Sequence, residues 1–235
     1  MGIHEHESKR EILRRLMEER GGRFSDELGI DIESGSSEEI FKWFLASILF
    51  GARIRKDAAI KTYHEFEKQN VLTPEAILST GWDSLVKILD EGGYARYDFK
   101  TATKLLGIAQ MLNKQYNGDL NLLHEEASDP RDLESKLMEF KGVGHVTVNI
   151  FLRELRGIWK KADPLPGDPV ITAARSLGLT ELEGGNDEEK KKILLELEEL
   201  WDQANLPYRF SDFEAALVRF GIESRRSKYR KNKGG

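Results

Sequence analysis

The chain has 235 residues and no cysteine, which excludes disulfides, thiolate zinc sites, cysteine nucleophiles and thiolate-held iron-sulfur clusters together. Hydrophobic residues make up 39% and charged residues 33%, enough for a real core beneath an unusually charged surface. The formal net charge of −5 argues against a chain that coats nucleic acid by bulk charge, so partners must be sought in the charge distribution.

That distribution is uneven. Residues 219–233 hold seven Lys/Arg against one Glu, and a smaller cluster comprises Arg53, Arg55, Lys56 and Lys61. Acidic residues gather elsewhere, notably in 181–199. Each run reads either as a solvated face or tail, or as a contact for a polyanion. No apolar run approaches the roughly 20 residues needed to span a bilayer. The opening MGIHEHESKREILRRL is charged and lacks an apolar signal core. A cytoplasmic chain with no membrane partner is expected. The five histidines, His4, His6, His64, His124 and His145, lack metal-ligand spacing, so no metal site is expected.

In chain order the pattern is helical. Ser8 reads as the cap of a first helix that ends at Arg20 before Gly21-Gly22. Ser36/Ser37 with Glu39 opens a strongly apolar helix, with Ile40, Phe44 and Ile48 on one face and Phe41, Leu45 and Leu49 beside them. A helix near 55–69 follows. Thr73 as cap and Pro74 in the first turn start another. Segment 81–91 reads as a further short helix, broken by Gly92-Gly93. A longer one covers about 97–116, with Leu105, Ile108, Ala109 and Leu112 inward, ended by the turn Asn117-Gly118-Asp119. Asp129-Pro130 starts a helix through Phe140, and 145–156 continues the pattern. After the Pro/Gly loop 160–167, Asp168-Pro169 begins the next. Segment 187–203 is amphipathic through Ile193, Leu197 and Leu200, and a last helix is expected over about 211–221. No strand pair or solenoid repeat is visible. The fold class is all-α, with short connections that imply neighbouring helices packed on one another.

Two stretches carry chemistry. In LESKLMEFKGVGHVTVNIFLREL, residues 133–155, two helices are joined by Lys141-Gly142-Val143-Gly144-His145. The paired glycines permit a sharp turn and close approach of another backbone. The amides that open the second helix then face outward at the positive end of its dipole, an anion site that a duplex phosphate fits without a basic side chain. Leu137, Phe140, Val143, Val146, Ile150 and Phe151 supply the apolar contacts that fold the two helices together. An ordinary helix-helix turn is the competing reading. The second stretch is Gly167-Asp168-Pro169-Val170. Asp168 reads as a helix N-cap with Pro169 in the first helical position. Its carboxylate could also face a cleft, to stabilise a sugar cation or activate water.

Taken together, these residues resemble the helix-hairpin-helix glycosylase superfamily, whose members include endonuclease III, the adenine-specific mismatch glycosylase and the alkylpurine glycosylases. The resemblance covers about residues 36–225. The turn from Lys141 to His145 matches the family's Pro-Gly-Val-Gly-basic hairpin, with Thr147 and Asn149 continuing into the second helix. Asp168 falls at the family's catalytic aspartate. Residues 41–63, Tyr97 to Lys100, and Gln115 to Gly118 match earlier helices. The resemblance implies a two-lobed helical fold. One lobe spans 36–160, the other combines 1–35 with 161–235, and a DNA cleft lies between them.

It further implies a monomeric enzyme that flips a damaged or mismatched base from duplex DNA and hydrolyses its N-glycosidic bond with Asp168. The hairpin residues Lys141, Gly142, Val143, Gly144, His145 and Thr147 would grip a phosphate, with a monovalent cation at the turn. Arg53, Arg55, Lys56, Arg225 and Arg226 would add attraction. Leu49 aligns with the residue that plugs the gap left by the flipped base, and reads alternatively as core. The base pocket is expected among Trp43, Phe44, Trp82, Tyr94, Tyr97 and Trp159. The chain departs from the pattern in lacking the cluster-binding cysteines of endonuclease III. It also carries Val146 where bifunctional members have a nucleophilic lysine. Valine cannot attack a sugar, so the resemblance implies a monofunctional glycosylase without cofactor. A lyase with a displaced lysine, such as Lys141, a non-catalytic hairpin module and a helical protein-interaction domain are the alternatives.

Overall fold

Caps and breakers cut the chain into short helices, and the computed structural model describes the result over residues 3–52, 54–94 and 97–233, with side chains described from 9 to 225 within those spans. In chain order the helices of the described residues are α1 (Ile3–Arg20), α2 (Phe24–Glu27), α3 (Ser37–Phe50), α4 (Lys56–Lys68), α5 (Pro74–Gly92) and α6 (Asp98–Tyr116). They continue as α7 (Leu120–Glu126), α8 (Pro130–Met138), α9 (His145–Glu154), α10 (Asp168–Ser176), α11 (Asp187–Ala204) and α12 (Phe210–Lys233). No strand occurs among the described residues, and none of the described helices is long and apolar enough to cross a membrane. The chain divides into two compact units, Leu28–Asp163 and the pairing of Met1–Glu27 with Pro164–Gly235.

The unit Leu28–Asp163 is built around α3. Ser36 caps it, accepting a hydrogen bond from the Glu39 amide at 3.3 Å. Ile40, Phe41, Phe44, Leu45, Ile48 and Leu49 are all buried. A helix apolar on nearly every side must be enclosed, and each fully buried side chain of this size contributes about 1.5–3 kcal/mol. The Trp43 indole N–H donates to the Phe151 carbonyl at 3.0 Å and ties α3 to α9. Phe44 meets Phe140 and Phe151 with ring centroids 5.7 and 4.9 Å away. Thr73 caps α5 through the Ala76 amide at 3.1 Å. Gly81, at φ +74°, bends α5, so the two short segments expected around it meet at this residue. α7 has no counterpart among the helices expected from the sequence. Its seven residues offer only Leu120 and Leu123 as buried anchors, too few to establish a period.

In the other unit, α1 begins at Ile3 rather than after Ser8 and ends at Arg20, as Gly21-Gly22 requires. Asn186 caps α11, which buries Ile193, Leu197 and Trp201, the last stacked on Phe213 at 4.8 Å. Leu200, expected on the inward face, is only half-buried. α12 continues to Lys233 instead of stopping near 221. Gly221 is not a terminator here. A Cβ at that position would overlap the Pro169 carbonyl, so the glycine lets α12 pass backbone-close to the first turn of α10. Arg219, part of the basic run, lies over the Phe24 ring at 4.1 Å and pairs with Glu27 at 2.6 Å. It pins this unit together.

Candidate functional site

The hairpin sits between α8 and α9. Gly142 adopts φ +85°, a left-handed conformation that only glycine takes freely. Val143 is 5% exposed, and its amide donates to the Phe140 carbonyl at 2.9 Å, so the turn is anchored in the core. Gly144 is the extended residue that precedes α9 (φ −120°, ψ 177°), and it has no side chain with which to cap it. The Val148 amide donates to the Gly144 carbonyl at 3.1 Å. The amides of His145, Val146 and Thr147, which precede that bond, have no acceptor among the described residues. Three such donors at a helix start, with the dipole behind them, make an anion-binding end.

The side chains sort less simply. Lys141 and His145 are exposed. Val146 is 65% exposed and does not pack between the hairpin helices as its apolar character suggested. Thr147 is buried. A Cβ at Gly51 would overlap its hydroxyl, so Thr147 seats α9 on the end of α3 and is not a surface contact. Leu49 is completely buried. A wedge must stand exposed to enter a base step, so Leu49 is core.

Lys104 on α6 belongs to this site although nothing in the sequence near the turn announces it. Its aliphatic stem lies along Gly142, where a Cβ would come within 2.9 Å of Lys104 Cε. Burial holds its ammonium below the usual lysine range, and no partner for it occurs among the described residues.

Of the other expected cations, Arg55 is exposed and paired with Asp57 at 3.0 Å, and Lys56 is half-buried. Arg53 and the side chain of Arg226 lie outside the described residues. The expected pocket aromatics are mostly core. Trp43, Phe44, Tyr94 and Trp159 are buried, with the Tyr94 hydroxyl donating to the Leu49 carbonyl. Tyr97 is half-buried. Trp82, 40% exposed, lies 5.4 Å from the exposed Phe99 ring and donates to Thr103 at 3.0 Å.

Asp168 lies in the unit that contains α10. Gly167, extended at φ −75° and ψ 163°, takes the cap position, and Asp168 is the first helical residue. The expected side-chain cap is therefore absent. The carboxylate is 74% exposed and stands 3.8 Å from Arg225. A negative charge in the first turn of a helix is favoured by its dipole. Asp168 lines an open groove with Thr172, Arg175, Ser176, Glu183 and Arg225. Thr172 donates to the Asp168 carbonyl at 2.7 Å and accepts from Arg225 at 2.9 and 3.2 Å. Thr172 follows Asp168 by one helical turn, a spacing legible in sequence. Its pairing with α12 was not. Among the described residues no group of three or more His, Asp or Glu could hold a metal ion.

No family model matches the chain, and no curated protein matches it. Among solved structures, the chain is similar to a 3-methyladenine DNA glycosylase from H. pylori bound to 1,N6-ethenoadenine. The TM-score is 0.57 and the identity 15%, over 94% of this chain and 98% of that one. The chain thus shares the all-helical fold of that structure.

Proposed function

We propose that the protein is a DNA repair glycosylase that grips the backbone of duplex DNA with its hairpin, flips a damaged base out of the helix, and releases it by hydrolysis. One coincidence carries this reading. A glycosylase-type fold presents both an uncapped helix start behind a Gly-Val-Gly turn and, at the start of another helix, an exposed carboxylate with no capping duty. The free amides of α9 bind a phosphate, and Lys104 adds a charge at the turn. The carbonyls of Lys141, Gly142 and Val143 accept no backbone hydrogen bond among the described residues. Hard oxygens of this kind suit a monovalent cation.

Asp168 stabilises the positive charge that grows on the sugar as the glycosidic bond breaks, and assists water at C1′. Val146 offers no amine at the position of the family's nucleophilic lysine, which supports a monofunctional reaction. The neighbour is a 3-methyladenine glycosylase bound to 1,N6-ethenoadenine, so alkylated purines come first among candidate lesions.

The test is base release from duplexes that each carry one lesion, with and without alkali. Release that needs alkali to break the strand is expected. Asp168→Asn should lower the single-turnover rate by about 10²–10⁴-fold while duplex binding persists. Binding without release from any lesion would instead identify a non-catalytic hairpin module. Strand cleavage without alkali, trapped by borohydride, would identify a lyase that uses a lysine elsewhere.

A further inference from the structure

We propose that Arg225 is a positioning residue for Asp168, held in place by Thr172; the inference rests on the glycosylase reading and extends it. The arrangement starts at Gly221. With no side chain there, the backbone of α12 lies against the Pro169 carbonyl, closer than any Cβ would allow. Arg225 follows Gly221 by one helical turn and so shares its face. It is thereby carried alongside Thr172, which itself lies one turn beyond Asp168 on α10.

The Thr172 hydroxyl has one proton to give and two lone pairs to offer, and all three are used. It donates to the Asp168 carbonyl at 2.7 Å, and it accepts from Arg225 Nε at 3.2 Å and Nη2 at 2.9 Å. Two bonds from one planar guanidinium to one oxygen fix its orientation. Nη2 is left 3.8 Å from Asp168 Oδ2. The carboxylate has no cap to make, and this fixed charge is what restricts it on the groove side.

An ion pair this exposed contributes little to folding. Its value is geometric. A carboxylate that must face a developing sugar cation loses rate steeply when it is misplaced. The basic run that contains Arg225 suggested a phosphate contact. In the structure its guanidinium engages the Thr172 hydroxyl and faces the Asp168 carboxylate.

The test uses the full-length protein on the best substrate of the lesion panel, under single-turnover conditions, together with duplex binding across a salt series. Arg225→Gln should lower the rate by about 10–100-fold, the order expected for a misplacement near 1 Å, with duplex affinity and its salt dependence unchanged. Arg225→Lys should stay impaired, because an ammonium cannot make the paired contact to Thr172. Thr172→Val keeps shape but removes the hydroxyl, and should fall toward the Arg225→Gln rate. The double variant should be no slower than Arg225→Gln alone.

An unchanged rate with weaker binding and a salt slope shallower by about one would make Arg225 a phosphate contact and overturn the proposal. Unchanged rate and binding would show that it has no role. A wild type that releases no base from any lesion defeats the glycosylase reading itself, and this proposal with it.

Discussion

Lys104 carries its ammonium on a stem laid across Gly142, and burial depresses its pKa. A cation in that position is costly until an anion arrives, because desolvation penalises the charged form. A DNA phosphate at the hairpin would supply the missing partner. Lys104→Met preserves the apolar stem and removes the charge. Duplex affinity should fall, and the plot of log affinity against log salt should become shallower by about one. An unaltered salt slope would show that Lys104 only packs. The same distinction between charge and packing separates the residues of the hairpin itself. His145 and Lys141 are exposed, whereas Val143 anchors the turn and Thr147 seats α9 on α3. The pattern Lys-Gly-Val-Gly-His located the turn but could not rank its side chains, since burial depends on α3 and α6, which lie far away in sequence.

At the level of elements, two glycines set how closely helices approach. Gly51 ends α3 where Thr147 of α9 arrives, and Gly221 lets α12 lie on the start of α10. A methyl group at Gly51 must displace the Thr147 hydroxyl. Gly51→Ala should destabilise the protein by about 1–3 kcal/mol, the usual cost of overpacking a tight contact. Removing the obstructing oxygen as well, in Gly51→Ala/Thr147→Ala, should recover most of that loss in urea titrations. Independent, additive losses would mean that the two positions do not meet. In sequence, Gly221 stands at the expected end of the last helix. Gly51 does fall at a helix end, but Gly221 lies inside α12. Helix-stop rules weigh local entropy, and close packing against a distant carbonyl outweighs them.

For the molecule as a whole, stability should depend on the charge state of His124. Its ring stacks on Trp159 at 4.7 Å, and its Nε2 accepts from the Lys161 amide at 3.4 Å. Burial, and then the charge of Lys161, push its pKa below the usual value of 6.5. The unfolded chain therefore takes up a proton before the folded one as pH falls. The stabilisation is complete above pH 6.5 and is lost progressively below it. Urea midpoints measured on either side of that pH should show the decline, and His124→Phe, which keeps the stacking, should flatten it. A wild-type midpoint that is insensitive to pH across this range would sink the argument.

The sequence by itself determined the all-helical class, most helix starts, the hairpin turn and the start of a helix at Asp168-Pro169. Caps, glycines and the spacing of apolar residues act over a few residues, so they can be read without the fold. Only the tertiary structure decided that Leu49 and four of the six candidate aromatics are core, that Gly167 rather than Asp168 takes the cap position of α10, and that Lys104 stands beside Gly142 and Arg225 beside Asp168. Those facts depend on which surfaces meet, and residues far apart in the chain leave no local pattern of their meeting.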